Sequence, residues 1–158
     1  MEHGSPPFLK RRGYLKPFNV MNYEYLSHTA DIKFQAFGKN IEECFTNAVY
    51  ALTNIICKQE IKGIIKKSIK AEGDDLEELL YNFLEEFLFL SDSQNFLFSK
   101  FKKIKIYKKN GKFNLNSEVL GDDSKKYQTE LDVKAITYNE MFVIKDKDSY
   151  KCQVVVDV

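Results

Sequence analysis

Two segments of the chain carry apolar residues at intervals of three and four, the spacing that lines one side of an α-helix. Asn40 and Glu43 resemble a capping box before the first segment. Asp74 and Asp75 favour a helix start before the second, because carboxylates stabilise the positive N-terminal end. The apolar positions are Ile41, Cys44, Phe45, Ala48, Leu52, Ile55 and Ile56 in the first helix, ending near Cys57, and Leu76, Leu79, Leu80, Phe83, Leu84, Phe87 and Leu88 in the second, with Leu90 as its last apolar position.

The remaining segments alternate apolar and polar residues, which predicts strands with one solvated face. Asn110-Gly111 predicts a two-residue hairpin turn, and 121–126 is predicted to be a polar loop. No internal repeat is strong enough to state. The predicted strands are 23–26, 32–37, 62–72, a segment around 104–106, 113–119, 131–138, 141–144 and 150–158.

This order of elements predicts an α+β class, a single domain with two helices packed on a mostly antiparallel or mixed β-sheet. We expect the domain to span 23–158. Residues 1–22 have three prolines, two glycines and the basic cluster Lys10-Arg11-Arg12, without sustained periodicity. They are predicted to be a flexible N-terminal extension.

The composition excludes several classes of protein. The formal net charge is +1, from 24 Lys and Arg against 23 Asp and Glu, which argues against nucleic-acid binding by bulk charge alone. Three cysteines without a C-x-x-C pair indicate a reducing compartment and small buried side chains. No apolar run approaches the ~20 residues of a membrane span. We therefore expect a cytoplasmic or nuclear protein.

The familiar enzyme motifs are absent from the sequence. It contains no phosphate-binding P-loop, no G-x-G-x-x-G and no G-x-S-x-G, and its only histidines are His3 and His28. A catalytic triad would have to use His28, and no serine or cysteine context marks a partner for it.

A polar cluster from Ser27 to Asp31 lies between two alternating runs and interrupts what would otherwise be one strand. His28 fits either a structural hydrogen-bonding role in the bend or a direct part in binding. Asp31 fits either a turn cap or an oxygen ligand for a metal. Spacing alone leaves both alternatives open.

The last strand ends on Asp157-Val158. A side-chain carboxylate beside an α-carboxylate, with Asp31 nearby, would bring three anionic groups together. Such a cluster raises a pKa or requires a cation, and oxygen ligands suit calcium, magnesium or manganese better than zinc. The alternative is an ordinary strand end.

A run of lysines surrounds the predicted hairpin. Lysines on an exposed strand commonly block edge-to-edge aggregation; contact with RNA or a partner is the alternative. The run comprises Lys100, Lys102, Lys103, Lys105, Lys108, Lys109 and Lys112.

The segment 23–31, Tyr-Glu-Tyr-Leu-Ser-His-Thr-Ala-Asp, resembles the signature of the archease family. The resemblance continues through Gly73-Asp74-Asp75-Leu76 with the leucine-rich helix that follows, through 129–138, and ends on Asp157-Val158. Ser27 departs from the family, which usually has Asp at this position.

This resemblance implies an archease-like fold and a protein that is not itself a catalyst. Archeases assist an RtcB-type RNA ligase in tRNA splicing by promoting its guanylylation and repeated turnover. The implied metal ligands are Asp31, Asp157 and Val158, the last through its terminal carboxylate or carbonyl oxygen. Lys134 and His28 are implied as accessory residues. The implied cofactor is a divalent metal ion, calcium first, with magnesium or manganese as alternatives.

The implied partner is the RtcB-type ligase or a tRNA ligase complex, with no sequence-specific nucleic-acid binding and no membrane. Two other functions remain open from the residues. One is an RNA-binding or chaperone-like module that uses the lysines. The other is a metal-dependent hydrolase that uses the same carboxylates, for which His28 is the sole credible general base.

Overall fold

The computed structural model of the protein describes residues 23–26 and 31–158. The predicted extension, 1–22, and the predicted accessory residue His28 lie outside the described residues. The elements are β1 (Tyr23–Leu26), β2 (Ile32–Gly38), α1 (Ile41–Ile56), β3 (Ile65–Gly73), α2 (Leu76–Gln94), β4 (Phe96–Lys109), β5 (Lys112–Asp123), a 3-10 turn (Ser124–Lys126), β6 (Ala135–Asp146) and β7 (Ser149–Asp157).

The strands form two antiparallel sheets. Sheet A has the order β1-β2-β7-β6, and sheet B has the order β3-β5-β4. Helix α1 packs mainly on β2 and helix α2 mainly on β3. One apolar core draws residues from both sheets and both helices. The predicted α+β class is confirmed, with the strands divided between two sheets, and all three cysteines are buried as expected.

Both helices begin with the predicted caps. The main-chain N–H of Glu43 donates to Asn40 Oδ1 at 2.8 Å, and Glu43 returns a bond by accepting from the N–H of Lys39 at 2.6 Å. In α2 the N–H of Glu78 donates to Asp75 Oδ1 at 2.8 Å. These bonds satisfy amides that have no partner within the helix.

The chain contains two units of a strand followed by a helix, β2–α1 and β3–α2, whose equivalent residues are 35 positions apart, as Gly38 and Gly73 are. The sequence alone did not reveal this relation. At each glycine the strand passes close to the backbone of the following helix. An asparagine in each helix donates its side-chain N–H back to the preceding strand: Asn47 to Phe37 O at 2.7 Å and Asn82 to Glu72 O at 2.8 Å.

Each helix also reaches the outer strand of the other unit's sheet. Glu42 of α1 accepts a hydrogen bond from the N–H of Ile106 in β4 at 3.1 Å. Glu77 of α2 accepts one from the N–H of Val143 in β6 at 3.0 Å. Since β4 and β6 are edge strands, these carboxylates occupy main-chain donors that would otherwise be open to pairing. The helices therefore tie the two sheets together.

The alternating runs before and after the polar cluster are two strands, β1 and β2. β1 and β2 pair antiparallel, with Leu26 opposite Lys33. β1 and β2 therefore run in opposite directions as neighbouring strands of sheet A. The two strands predicted on either side of the cluster are confirmed, and their pairing with each other is added by the structure.

The predicted strands 131–138 and 141–144 are one strand that starts later. β6 begins at Ala135, and it continues through a register shift between Thr137 and Phe142. Glu140 lies there with a φ of 56°. A bulge accommodates the extra residues, and pairing with β7 continues on both sides of it. The polar residues Asn139 and Glu140 therefore do not end the strand.

The predicted loop 121–126 is also partly strand. Gly121 to Asp123 pair with Phe98 to Phe96, and the 3-10 turn follows. Helix α2 continues beyond its last predicted apolar position, Leu90, to Gln94, and Asn95, with a φ of 53°, turns the chain directly into β4. The Asn110-Gly111 hairpin is confirmed, with positive φ at both residues, as a type I′ turn requires.

The close passage at Gly73 makes a prediction about stability. A Cβ at Gly73 would lie less than 3 Å from the backbone of Glu78 and Leu79. We expect Gly73→Ala to lower the free energy of unfolding by about 1–3 kcal/mol, the usual cost of overpacking, in urea titration. Gly63→Ala, which meets only side-chain atoms of Leu120 and Lys100, should cost less. Equal midpoints for the two variants would contradict the prediction.

Candidate functional site

The end of the central strand β7 collects the described residues that the sequence singled out. β7 pairs with β2 on one side, where Ile32 lies opposite Val156. Asp31 and Asp157 are the next residues along these adjacent strands, beyond that pair. On the other side Asp157 is paired with Ala135 of β6. Residues more than 120 positions apart in the chain thus lie at one end of sheet A.

The two carboxylates belong to the same face of the sheet. Ile32 and Val156 belong to the face on the apolar core. Since side chains alternate along a strand, Asp31 and Asp157 belong to the opposite face. Asp157 is exposed and Asp31 is half-buried. Solvent therefore reaches this end of the sheet, as a binding site for a cation or a partner requires.

Lys134 lies next to this pair. Its main-chain N–H donates to the carbonyl oxygen of Asp157 at 2.7 Å, although Lys134 itself precedes β6. The N–H of Ile136 donates to Oε2 of Glu85 in α2 at 3.3 Å. Helix α2 thus fixes the start of β6, and the exposed Lys134 is held beside the carboxylate end.

Val158 completes the group. Its half-buried side chain packs against the main core. That packing anchors the main chain directly after Asp157.

Lys33 and Glu140 are neighbours of the site that the sequence did not indicate. Lys33 Nζ lies 3.1 Å from Glu140 Oε1. A second contact stabilises the bulge at Glu140: Gln153 Nε2 donates to the carbonyl oxygen of Glu140 at 2.8 Å. Lys33 is two residues from Asp31, so alternation puts both on the same face of sheet A. The strand register supplies the proximity of Lys33 to Glu140, and no local signal could have revealed it.

Tyr138 ends the 129–138 motif and stacks on Tyr81 of α2. The ring centroids are 4.1 Å apart and the planes differ by 7°. Tyr138 is 52% exposed. Partial burial, followed by the charge of Glu78, raises the pKa of Tyr138 above its usual value, so the hydroxyl stays protonated at neutral pH. The stack joins α2 to the bulged part of β6.

Oxygen donors predominate among the predicted ligands. Two aspartates and main-chain oxygens form a donor set that suits calcium, magnesium or manganese. Within 23–26 and 31–158 no group of three or more His, Cys, Asp or Glu residues is arranged to hold a metal ion. The predicted set has only two such side chains in that part of the chain, and Ser27 and His28 lie outside it.

Neither described helix has the length and apolar content needed to cross a membrane.

Comparison with known proteins places these features in one family. Residues 23–158 match the model of the archease protein family (MTH1598/TM1083). The chain is 42% identical over 139 residues to protein archease of Methanosarcina barkeri, with 86% of this chain and 95% of that protein covered. It is 38% identical over 143 residues to protein archease of Pyrococcus furiosus, with 88% and 100% covered.

Solved structures have the same fold. The solution structure of Methanobacterium thermoautotrophicum protein 1598 superposes with a TM-score of 0.77 at 29% identity, covering 88% of this chain and 100% of that one. A Thermotoga maritima protein described as an archease and possible chaperone superposes with a TM-score of 0.50 at 19% identity, covering 84% and 94%, which concerns the fold alone. The family match over 23–158 and these identities show that the chain belongs to the archease family.

Proposed function

We propose that this protein is a non-catalytic activator of an RtcB-type RNA ligase in tRNA splicing, in the cytoplasm or nucleus. The observation that carries the proposal is the double pairing of β7, which brings Asp31, Lys134 and Asp157 to one end of sheet A. Membership of the archease family supports it. The activator would promote guanylylation of the ligase and its repeated turnover.

Asp31, Asp157 and a main-chain oxygen of Val158 would hold a divalent cation, calcium first, with magnesium or manganese as alternatives. When bound, the cation supplies positive charge that neutralises the two carboxylates. The chain itself contributes the alignment: β2 and β6 fix the end of β7 from both sides. The main chain that carries the two carboxylates is therefore fixed by strand pairing.

Lys134 would act as a positioning residue toward the ligase. Its main chain is fixed by the bond to Asp157, while its side chain is exposed. It is therefore placed to meet a phosphate of the ligase-bound nucleotide or a carboxylate of the ligase. His28 would shape the connection between β1 and β2.

The two aspartates give the principal test. We expect Asp31→Asn and Asp157→Asn each to reduce stimulation of multiple-turnover RNA ligation at least tenfold, because each removes one negative charge while keeping the side-chain size. Asp148→Asn, at the exposed turn between β6 and β7, is the matched control and should stimulate fully. Full stimulation by both site variants, with their folds intact, would exclude the proposed role.

Cation binding gives a test that does not need the ligase. A ligand that binds only the folded state stabilises it by about 2.7 kcal/mol at 100 times its Kd. We expect calcium to raise the melting temperature of the wild type and of Asp148→Asn, and to leave that of Asp157→Asn unchanged. An equal rise in all three proteins would place the bound calcium elsewhere.

The role of Lys134 is tested by two substitutions. Lys134→Gln should lower ligase stimulation severalfold because it removes the charge, whereas Lys134→Arg should keep most of it. Calcium-dependent stabilisation should persist in both variants, because the side chain is not a proposed ligand. A solvated lysine without a function would give the wild-type rate in both variants.

A further inference from the structure

Sheet B presents one side to solvent, and its registers show which residues share that side. Lys66 of β3 and Lys100 of β4 flank Leu120 of β5, and Lys70 and Lys105 flank Asn116. The alternate residues, such as Ile69 and Leu115, belong to the core. We call the solvent side the basic face; it consists of Lys66, Ser68, Lys70, Glu72, Lys100, Lys103, Lys105, Tyr107, Lys109, Lys112, Asn114, Asn116, Glu118 and Leu120.

The basic face concentrates charge that the whole chain does not have. Its seven lysines and two glutamates carry a formal charge of +5, whereas the chain carries +1. Two of the seven, in β3, were not part of the lysine run that the sequence indicated. Only the sheet brings them together with the lysines of the hairpin.

Several of these lysines have no carboxylate partner. Lys66 and Lys103 lie 3.5 and 3.7 Å from Glu118, and Lys112 lies within 4 Å of two further carboxylates. No ion pair within the described residues involves the other four, which are all exposed: Lys70, Lys100, Lys105 and Lys109.

Protection of the sheet edges does not account for this arrangement. One main-chain donor on the edge strand β4 is already occupied by Glu42, and Lys112 lies on β5, which is the central strand and has no open edge to protect. Repulsion among lysines on one side of a sheet opposes folding. A polyanionic ligand would relieve that repulsion across the whole face.

We propose that the basic face binds RNA through its phosphates, without regard to sequence. Lysines two apart on a strand are about 6.6 Å apart, and those on the two outer strands are about 9.5 Å apart, so several phosphates can be contacted at once. The half-buried Tyr107, whose hydroxyl accepts a hydrogen bond from Asn116 Nδ2 at 3.1 Å, adds an aromatic ring to the face. Charged faces with an aromatic ring are typical of single-strand binding.

The composition of the basic face favours RNA over an acidic protein. Protein interfaces have an apolar centre, whereas none of the exposed large hydrophobic residues of the described chain belongs to the basic face, and only Ile64, two residues before Lys66, borders it. These exposed residues are Ile64, Ile65, Phe89, Leu131, Tyr138 and Ile144. Leu120 is the sole aliphatic side chain on the basic face, and it is half-buried.

The test measures binding of a fluorescently labelled single-stranded RNA of about 20 nucleotides by anisotropy, without the ligase. Binding should weaken with salt by about 0.7 logarithmic units per contacted phosphate and tenfold rise in salt. The variant combining K70Q, K100Q, K105Q and K109Q should bind at least tenfold more weakly at 50 mM salt, with a slope reduced by about 3.

The matched control combines K39Q, K125Q, K145Q and K147Q, four exposed lysines away from the basic face, and should keep most of the binding. Urea titration checks that both variants fold. Equal loss in the two variants, or no binding by the wild type, would overturn the proposal, as would binding only to an acidic protein or to anionic vesicles. Because the assay contains no ligase and leaves Asp31 and Asp157 unchanged, its failure would not affect the proposed ligase function.

Discussion

The pairing of β7 with β2 and β6 is the interaction on which the candidate site depends. β7 is a central strand of sheet A, and its residues from Cys152 to Val156 are all buried. Cys152, Val154 and Val156 face the apolar core, whereas Gln153 faces the other side and is hydrogen-bonded to Gln35 and Glu140, so a slip by one residue would turn the polar Gln153 into the core. The acidic end of β7 therefore meets Asp31 on one side and Lys134 on the other by a constraint that originates in the core.

The two strand–helix units, β2–α1 and β3–α2, share one backbone arrangement but carry side chains of opposite charge. At the interval of 35 residues, Asp31 corresponds to Lys66, and each lies beside a residue of the central strand of its own sheet. Sheet A ends in carboxylates, while sheet B carries the basic face. Helix carboxylates from each unit bind the edge strand of the other unit's sheet. The proposed cation site and the basic face are thus joined through one apolar core.

Local signals predicted the elements well where local physics decides them. Side-chain caps placed the starts of both helices, and Asn110-Gly111 placed a hairpin, because these features depend on residues within one turn of the chain. The predictions were wrong where pairing with a distant strand decides the local structure. Gly121 to Asp123 are strand because Phe96 to Phe98 pair with them, and the bulge at Glu140 is tolerated because β7 pairs on both sides of it.

The sequence by itself determined the α+β class, the helix caps and the family. Apolar periodicity, turn residues and short motifs each depend on residues that are close together in the chain. The resemblance also implied Asp31, Asp157 and Val158 as one metal site, with Lys134 as an accessory residue. Only the tertiary structure decided that these residues share one end of sheet A, that Lys33 lies beside them, and that lysines of three strands form one face. Strand register is the physical reason, since pairing across more than 100 residues is set by burial of the whole core.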